Sequence, residues 1–399
     1  MAETTLELKE ADLQQWRVIE RFRVYLEGKT PLSDRPDTWT DSRRTLTCSK
    51  FLCLYLFALV NPALHTLQAI CAASKLQRVQ QEICGPVSLG SFSEAQHLIN
   101  PAFLEQIFLE LAQELTGPPP KDPGEAALHW LAQDSSLWSA LPRMDWAIYG
   151  GGRKRKNKRP NRAVRLHLAF NVLDDQPSVA TITPGNTCER KAFRQKWTRG
   201  ASYIGDRYYG EDYSLFGELA GLGCNYLIRL RDEAVITVQE ELPVLEADRQ
   251  ARVTRQAWVT LGGRADCRSV RLRAVWIDKP NGGSLCLGTN LPPEELSAEL
   301  AARVYKRRWQ IEFFFRWIKT ILPTHHWLAE SANGVAIQLY LALIAGVLLH
   351  QTLGCRPNKR MMELVQLYQM GWATLEELIA GVTRQRELIQ KKAAISKIR

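Results

Sequence analysis

Residues 305–319 read YKRRWQIEFFFRWIK, and this segment limits the fold more than any other. On a helix at about 100° per residue, with Glu312 at zero, Tyr305 falls near about +20°, Arg308 near about −40° and Lys319 near about −20°. All four polar side chains therefore share one face. Trp309, Phe313, Phe314, Phe315, Trp317 and Ile318 fill much of the remaining circumference. A helix of this kind folds only when neighbours bury it, and its polar stripe then lines a cleft. An aromatic, two cations and one carboxylate in such a cleft call for a highly charged ligand.

At 399 residues the chain is too long for one ordinary core, and two or three structural units are expected. The net charge is +10, in a composition that is 24% charged and 45% hydrophobic. These totals describe a folded basic protein with nucleic acid as its expected partner. Nine cysteines are scattered without a CxxC pair, which points to reduced core thiols in an intracellular protein rather than a disulfide framework. The start, MAETTLELKEADLQQW, lacks an apolar signal core. The most apolar run, Val335 to Leu349, has 15 residues and suits a buried helix better than a membrane span. The expected location is cytoplasmic, with no membrane partner.

The character of the chain changes along its length. Residues 1–125 read as a helical region, with NPAFLEQIFLELAQELTG offering an Asn100 cap, Pro101 in the first turn and Gly117 past the end. TGPPPKDPGE breaks any helix and marks a linker at 116–125. From residue 140, strand-like runs follow: MDWAIYG, RAVRLHLAFNVL, SVATITPG and ASYIGD, with a short helix in CERKAFRQKW and a further strand in CNYLIRL. Asp174 and Asp175, in LDDQP, form a hairpin turn signal. This order of strands and helices predicts an α/β mixed sheet with flanking helices. Residues 234–298 carry strands without helices between them and read as an all-β insertion. The expected division is thus 1–125 (helical, DNA-binding), 140–233 (first part of a catalytic domain), 234–298 (insertion), 299–355 (second part) and 356–399 (basic, helical).

Two carboxylates flank strand signals beside loops, Asp145 in LPRMDWAIYG and Asp206 in SYIGDRYYG. With Glu312 they supply three acids from three separated elements. Such a set can hold two Mg²⁺ ions about 3.5 to 4 Å apart for in-line phosphoryl transfer. Oxygen ligation suits Mg²⁺, with Mn²⁺ as substitute, and leaves cysteine no role.

The spacing Tyr305, Arg308, Glu312, Lys319 reproduces Y-x2-R-x3-E-x6-K and resembles bacterial insertion-sequence transposases of family four, a DDE group with a ribonuclease-H-like catalytic domain. GDRYYG resembles the segment around that family's second Asp, and LIRLR the strand that follows it. The resemblance implies a cut-and-paste DNA transposase, cutting at terminal inverted repeats and joining 3′-OH ends to target DNA, as a homodimer in a synaptic complex. It implies Asp145, Asp206 and Glu312 as catalytic metal ligands. Tyr305, Arg308, Lys319 and Arg229, with Trp309 beside them, would contact the phosphates and bases of the DNA. Ser284 stands where members that use a DNA hairpin carry a Trp, and Trp258 and Trp276 lie earlier in the insertion.

RKRKNKRPNR, from Arg153 to Arg162, adds a cluster of cations without an acid. Arg153, Lys154, Arg155, Lys156, Lys158 and Arg159 are expected to track a DNA backbone. His325 and His326 read as loop residues. A catalytically silent DNA-binding regulator derived from a transposase, or a nuclease on the same fold, remain the alternatives.

Overall fold

Several helices begin where their sequences supply a side-chain acceptor for a free N–H group. Thr47 accepts from Lys50 N (3.4 Å) at the helix Cys48–Val60, and Thr66 from Ala69 N (3.1 Å) at Leu67–Ala73. Ser88 accepts from Ser91 N (3.1 Å) at Leu89–Leu98. Asn100 accepts from Ala102 N (3.0 Å) at Pro101–Gln113, with Pro101 in the first turn as expected. Each such cap contributes about 1 kcal/mol. The computed structural model describes residues 15–31, 39, 41–61, 63–114, 129–149, 161–172, 176–262, 270–321, 327–353, 357–369 and 371–398. Gly117, the 116–125 linker, Asp174, Asp175, His325, His326 and the basic run Arg153–Arg159 lie outside the described residues.

The chain divides into two units. One comprises Met1–Leu115, Ser139–Ile148 and Arg316–Arg399; the other comprises Thr116–Trp138 and Tyr149–Phe315. The first is helical and is built round the 22-residue helix Ala332–Leu353. That helix is long and apolar enough to cross a membrane, but 89% of its most apolar stretch is buried inside the protein. Helices Gln15–Leu26, Cys48–Val60, Leu89–Leu98 and Pro101–Gln113 pack against it, which explains an apolar surface all round. Two polar residues set its rotation, because apolar contact alone discriminates poorly between registers. Gln338 Oε1 accepts from Tyr55 OH (3.3 Å) and Leu328 N (3.0 Å). Asn333 Nδ2 donates to the carbonyls of Gln96 and Ile99, both at 2.7 Å. Helices Lys359–Gln369 and Leu375–Ile398 close a smaller cluster through Met361, Val365, Leu378 and Val382.

The second unit carries a ten-stranded sheet. Its strands are β1 (Trp130–Ser139), β2 (Ile148–Tyr149), β3 (Asn161–Asn171), β4 (Gln176–Pro184), β5 (Ser202–Gly205), β6 (Asn225–Arg229), β7 (Ile236–Leu242), β8 (Val253–Leu261), β9 (Val270–Asp278) and β10 (Ser284–Thr289). The order is β2-β3-β1-β5-β6-β10-β9-β8-β7, with β4 also pairing β3. The run β4-β3-β1-β5-β6, with β1, β5 and β6 parallel, has the order of a ribonuclease-H-like sheet, as expected. β10 pairs antiparallel with β6, so the strands β7–β10 continue the same sheet.

Several local expectations differ from the structure: the short helix Glu246–Gln250 stands between β7 and β8, where strands without helices between them were expected. The first strand is β1, upstream of the residue-140 boundary. Its polar centre, Gln133-Asp134-Ser135-Ser136, hides it in an alternation reading. MDWAIYG contributes only β2 after a 3₁₀ turn, Asp145–Ala147.

Helix Tyr213–Gly221 sets Leu215, Phe216 and Leu219 against Tyr226, Ile228, Val259 and Leu272 in the main core of this unit. Residues 305–319 fall on two helices, Ala298–Arg307 and Trp309–Ile321, which meet at Arg308. The junction is tightened, with Arg308 N bonded to Tyr305 O (3.0 Å) and Ile311 N to Arg308 O (3.2 Å). Phe314 packs on Phe170 with ring centroids 5.4 Å apart, and Phe315 on Trp138 at 6.4 Å. Trp309 and Phe313 instead stay half exposed, a departure from the expected burial. The turn at Arg308 rotates the second helix away from an uninterrupted wheel.

Candidate active site

The site begins with the register of three parallel strands. Trp130, Leu131 and Ala132 of β1 pair with Ser202, Tyr203 and Ile204 of β5. Continuing that register sets Asp134 beside Asp206. On the other side, Gly205 pairs with Ile228 of β6, and the next step sets Asp206 beside Arg229. Asp134, Asp206 and Arg229 thus form a row across adjacent strands, where β5 and β6 end. In open α/β sheets such carboxyl ends are where ligands bind.

Glu312 and Arg308 join the row from the helical segment. Arg308 Nη2 donates to Glu312 Oε1 at 2.9 Å, and its Nη1 lies 3.9 Å from Asp134 Oδ2. Arg308 is buried, and its Nε has no hydrogen-bond partner among the described residues. Burial alone would lower its pKa; Tyr305, Asp134 and Glu312 outweigh that and raise it. The guanidinium also lies over the rings of Tyr305 (5.9 Å) and Trp309 (5.5 Å).

Asp134 has the most perturbed carboxyl of the group, pushed up to about 7. Burial is the main cause, with the negative charges of Glu189 and Asp206 adding to it; the Ser135 N–H (2.7 Å) and Arg308 act in the opposite direction. Asp206 accepts from Tyr208 N at 2.9 Å and opens the turn that continues into the 3₁₀ segment Tyr209–Glu211. Buried Tyr305 has a raised hydroxyl pKa, chiefly through burial. Asp206 raises it further, whereas Arg308 and Arg229 lower it. Asp206, Arg229, Tyr305 and Arg308 therefore lie within electrostatic reach of one another.

Asp206, Glu312, Tyr305, Arg308 and Arg229 all belong to this unit. Arg229 also pairs with Asp232 (3.4 Å), while Arg231 turns to Glu211 and Glu233. Trp309 is exposed beside Arg308. Lys319 is exposed on the last turns of the same helix, beyond Phe315 and within the helical unit. Asp145 lies in the 3₁₀ turn Asp145–Ala147 directly before β2, in the helical unit, and is not itself on a strand. The strand-borne acid is Asp134, which an alternation reading missed. The signal available was its context, QDSSLW, with small residues directly after the acid. Arg153, Lys154, Arg155, Lys156, Lys158 and Arg159 lie outside the described residues.

Among the described residues no group of three His, Cys, Asp or Glu side chains already converges as a metal cage. The donor chemistry still fits a divalent cation, since Asp134 feels the negative charge of Asp206, Arg308 lies against both Asp134 and Glu312, and the acids offer only hard oxygen.

The chain matches the family model described as "Transposase DDE domain" over residues 130–348. It is 29% identical over 209 residues to a putative transposase, y4zB, of Sinorhizobium fredii, covering 51% of this chain and 57% of that protein. It is 30% identical over 210 residues to a probable transposase for insertion sequence element IS5377 of Geobacillus stearothermophilus, covering 52% of each. The chain thus spans about half the length of these curated relatives. Among solved structures, the piggyBac transposase synaptic complex with hairpin DNA aligns at a TM-score of 0.42 and 9% identity, over 93% of this chain and 79% of that one. By a family match that begins at the first residue of β1 and takes in both Asp134 and Glu312, this chain belongs to the DDE-domain transposase family.

Proposed function

We propose that this chain is an insertion-sequence DNA transposase that cuts at terminal inverted repeats and joins the 3′-OH ends to target DNA. The observation that carries this reading is the pairing register, which sets Asp134 beside Asp206 while Arg308 bridges Asp134 and Glu312. Asp134, Asp206 and Glu312 are the proposed ligands of Mg²⁺, with Mn²⁺ as substitute. Bound there, the metal would activate the attacking oxygen and stabilise the leaving one.

The protein's own residues place the DNA. Arg308 and Arg229 present guanidinium forks to phosphate oxygens, and Tyr305 and Lys319 complete the positioning of the strand. Trp309 offers an exposed aromatic face to a base. The signature spacing supports the finer assignment to family four. The partners are double-stranded DNA ends and target, with a homodimer holding two ends in one synaptic complex. The DNA would be that of a bacterial cytoplasm, with the enzyme at the nucleoid when bound.

The test is incubation of purified protein with Mg²⁺ and labelled DNA carrying the ends of its own element, beside an Asp206→Ala variant. End nicking with joined products, lost in the variant, is the expected result. Cleavage without joining would leave a nuclease. Binding without cleavage in Mg²⁺ or Mn²⁺ would leave a DNA-binding regulator.

A further inference from the structure

The short helix Glu189–Arg194 holds no part of the metal-ligand set, yet its side chains grip the elements on either side of that set. Glu189 Oε2 accepts from Ser135 Oγ at 2.6 Å, the residue directly after Asp134. Its Oε1 accepts from Tyr209 OH at 2.7 Å, in the turn that follows Asp206. Arg165 of β3 closes the ring: Nη1 lies 3.4 Å from Glu189 Oε2 and donates to Ser135 Oγ at 2.9 Å, while Nε donates to Gly185 O at 3.1 Å. Tyr209 is buried, and Arg165 and Glu189 are partly buried.

The rest of the same helix repeats the pattern. Arg190 donates to Tyr208 O at 3.2 Å and lies over the Tyr208 ring at 4.3 Å. Arg194 pairs with Asp212 (2.8 Å) and Glu218. One carboxylate therefore ties the strand bearing Asp134 to the turn bearing Asp206, and two arginines hold the remainder of that turn. A buried network with every member paired is stiff, and removing one member leaves the others unsatisfied.

We propose that Glu189 is a positioning residue that fixes the separation of Asp134 and Asp206 through Ser135 and Tyr209, and so sets the affinity of the site for a divalent cation. The inference rests on the reading of Asp134 and Asp206 as metal ligands. Outer partners of this kind typically change metal affinity by about 10–100-fold when removed.

The experiment measures Mn²⁺ binding directly, by the loss of the free-ion electron paramagnetic resonance signal, on the full chain without DNA. Glu189→Ala and Glu189→Gln are compared with wild type, together with Tyr209→Phe and Ser135→Ala. Each of the last two removes a single hydroxyl and guards against a variant that fails to fold. DNA binding without metal and the circular dichroism spectrum serve as folding controls.

Glu189→Ala is expected to weaken Mn²⁺ at least tenfold with both controls retained. The single-hydroxyl variants should fall between it and wild type, and Glu189→Ala/Tyr209→Phe should be no weaker than Glu189→Ala alone. Mn²⁺ affinity equal to wild type in Glu189→Ala and both hydroxyl variants would overturn the proposal and leave the transposase reading intact. Loss of DNA binding in step with metal binding in all of them would overturn it too, by showing a general structural role. A wild type that binds Mn²⁺ but never cuts DNA would instead sink the proposed function and leave the positioning role standing.

Discussion

Arg308 donates to Glu312 at 2.9 Å with one terminal nitrogen and, with the other, stands 3.9 Å from Asp134. A single guanidinium thus counters two acids from different elements, the end of a helix junction and a strand. The planar fork makes this geometry possible, and an ammonium has no equivalent.

Arg308→Lys should therefore fail although charge is kept. Cleavage is expected to fall about 10–100-fold, the range seen when partners of metal-site residues are lost, while DNA binding measured without metal changes little. A variant that cuts at the wild-type rate would show that charge alone suffices.

Asp134, inside β1, and Asp145, in the 3₁₀ turn after it, make opposite predictions. Asp134→Ala should abolish cleavage at the element's ends, whereas Asp145→Ala should retain it within a few-fold. End-cleavage assays on both variants decide between the strand-borne acid and the one in the 3₁₀ turn.

Asp134 also predicts a pH dependence. Its carboxyl is held up at about 7 in the folded chain, whereas an unfolded Asp titrates near about 4. Between those values the folded state binds more protons, so this group's contribution to stability falls as pH rises through the window. In chelator, Asp134→Asn should match wild type near pH 4 and exceed it by on the order of 4 kcal/mol at pH 8. Urea denaturation at pH 4, 6 and 8 measures the difference; a gap that shrinks towards alkaline pH would contradict it.

Gly210, in the turn after Asp206, lies so close to β6 that a Cβ there would overlap the Arg229 carbonyl oxygen. Backbone cannot yield as a flexible side chain does. Gly210→Ala is expected to cost about 1–3 kcal/mol through overpacking and to lower cleavage by moving the Asp206 turn off its strand. Cleavage and denaturation of the same preparation would show whether both fall.

Arg273 of β9 is fully buried and donates to Leu291 O (3.0 Å), Gln256 Oε1 (3.0 Å) and Leu296 O. Burial lowers its pKa to about 10, with Asp248 and Glu294 opposing that. It remains charged at neutral pH. Arg273→Met strands two carbonyls and a glutamine, and a loss of about 3 kcal/mol is expected by chemical denaturation.

Much of this arrangement was legible from residue types and spacing. Asn100 followed by Pro101 specified a helix start, and RAVRLHLAFNVL specified β3, because local backbone preferences decide both. Arg308 and Glu312 were legible as neighbours because residues four apart meet across one helical turn, and their side chains do pair. Asp134 was not: its strand is polar at the centre, and the register that sets it beside Asp206 comes from pairing between segments far apart in sequence. The exposure of Trp309 was hidden for a related reason. A one-residue turn at Arg308 breaks a wheel drawn as continuous. Glu189 gave no local signal at all, since its partners come from β1, β3 and the turn after β5.

The pairing of β10 with β6 carries one more consequence. Excision of the residue 234–298 insertion would convert β6, the strand bearing Arg229, into a sheet margin with open N–H and C=O groups. Such margins recruit strands from other molecules and seed aggregation. A shortened chain joined across residues 234 and 298 is thus expected to become insoluble rather than merely to lose a DNA-contacting accessory.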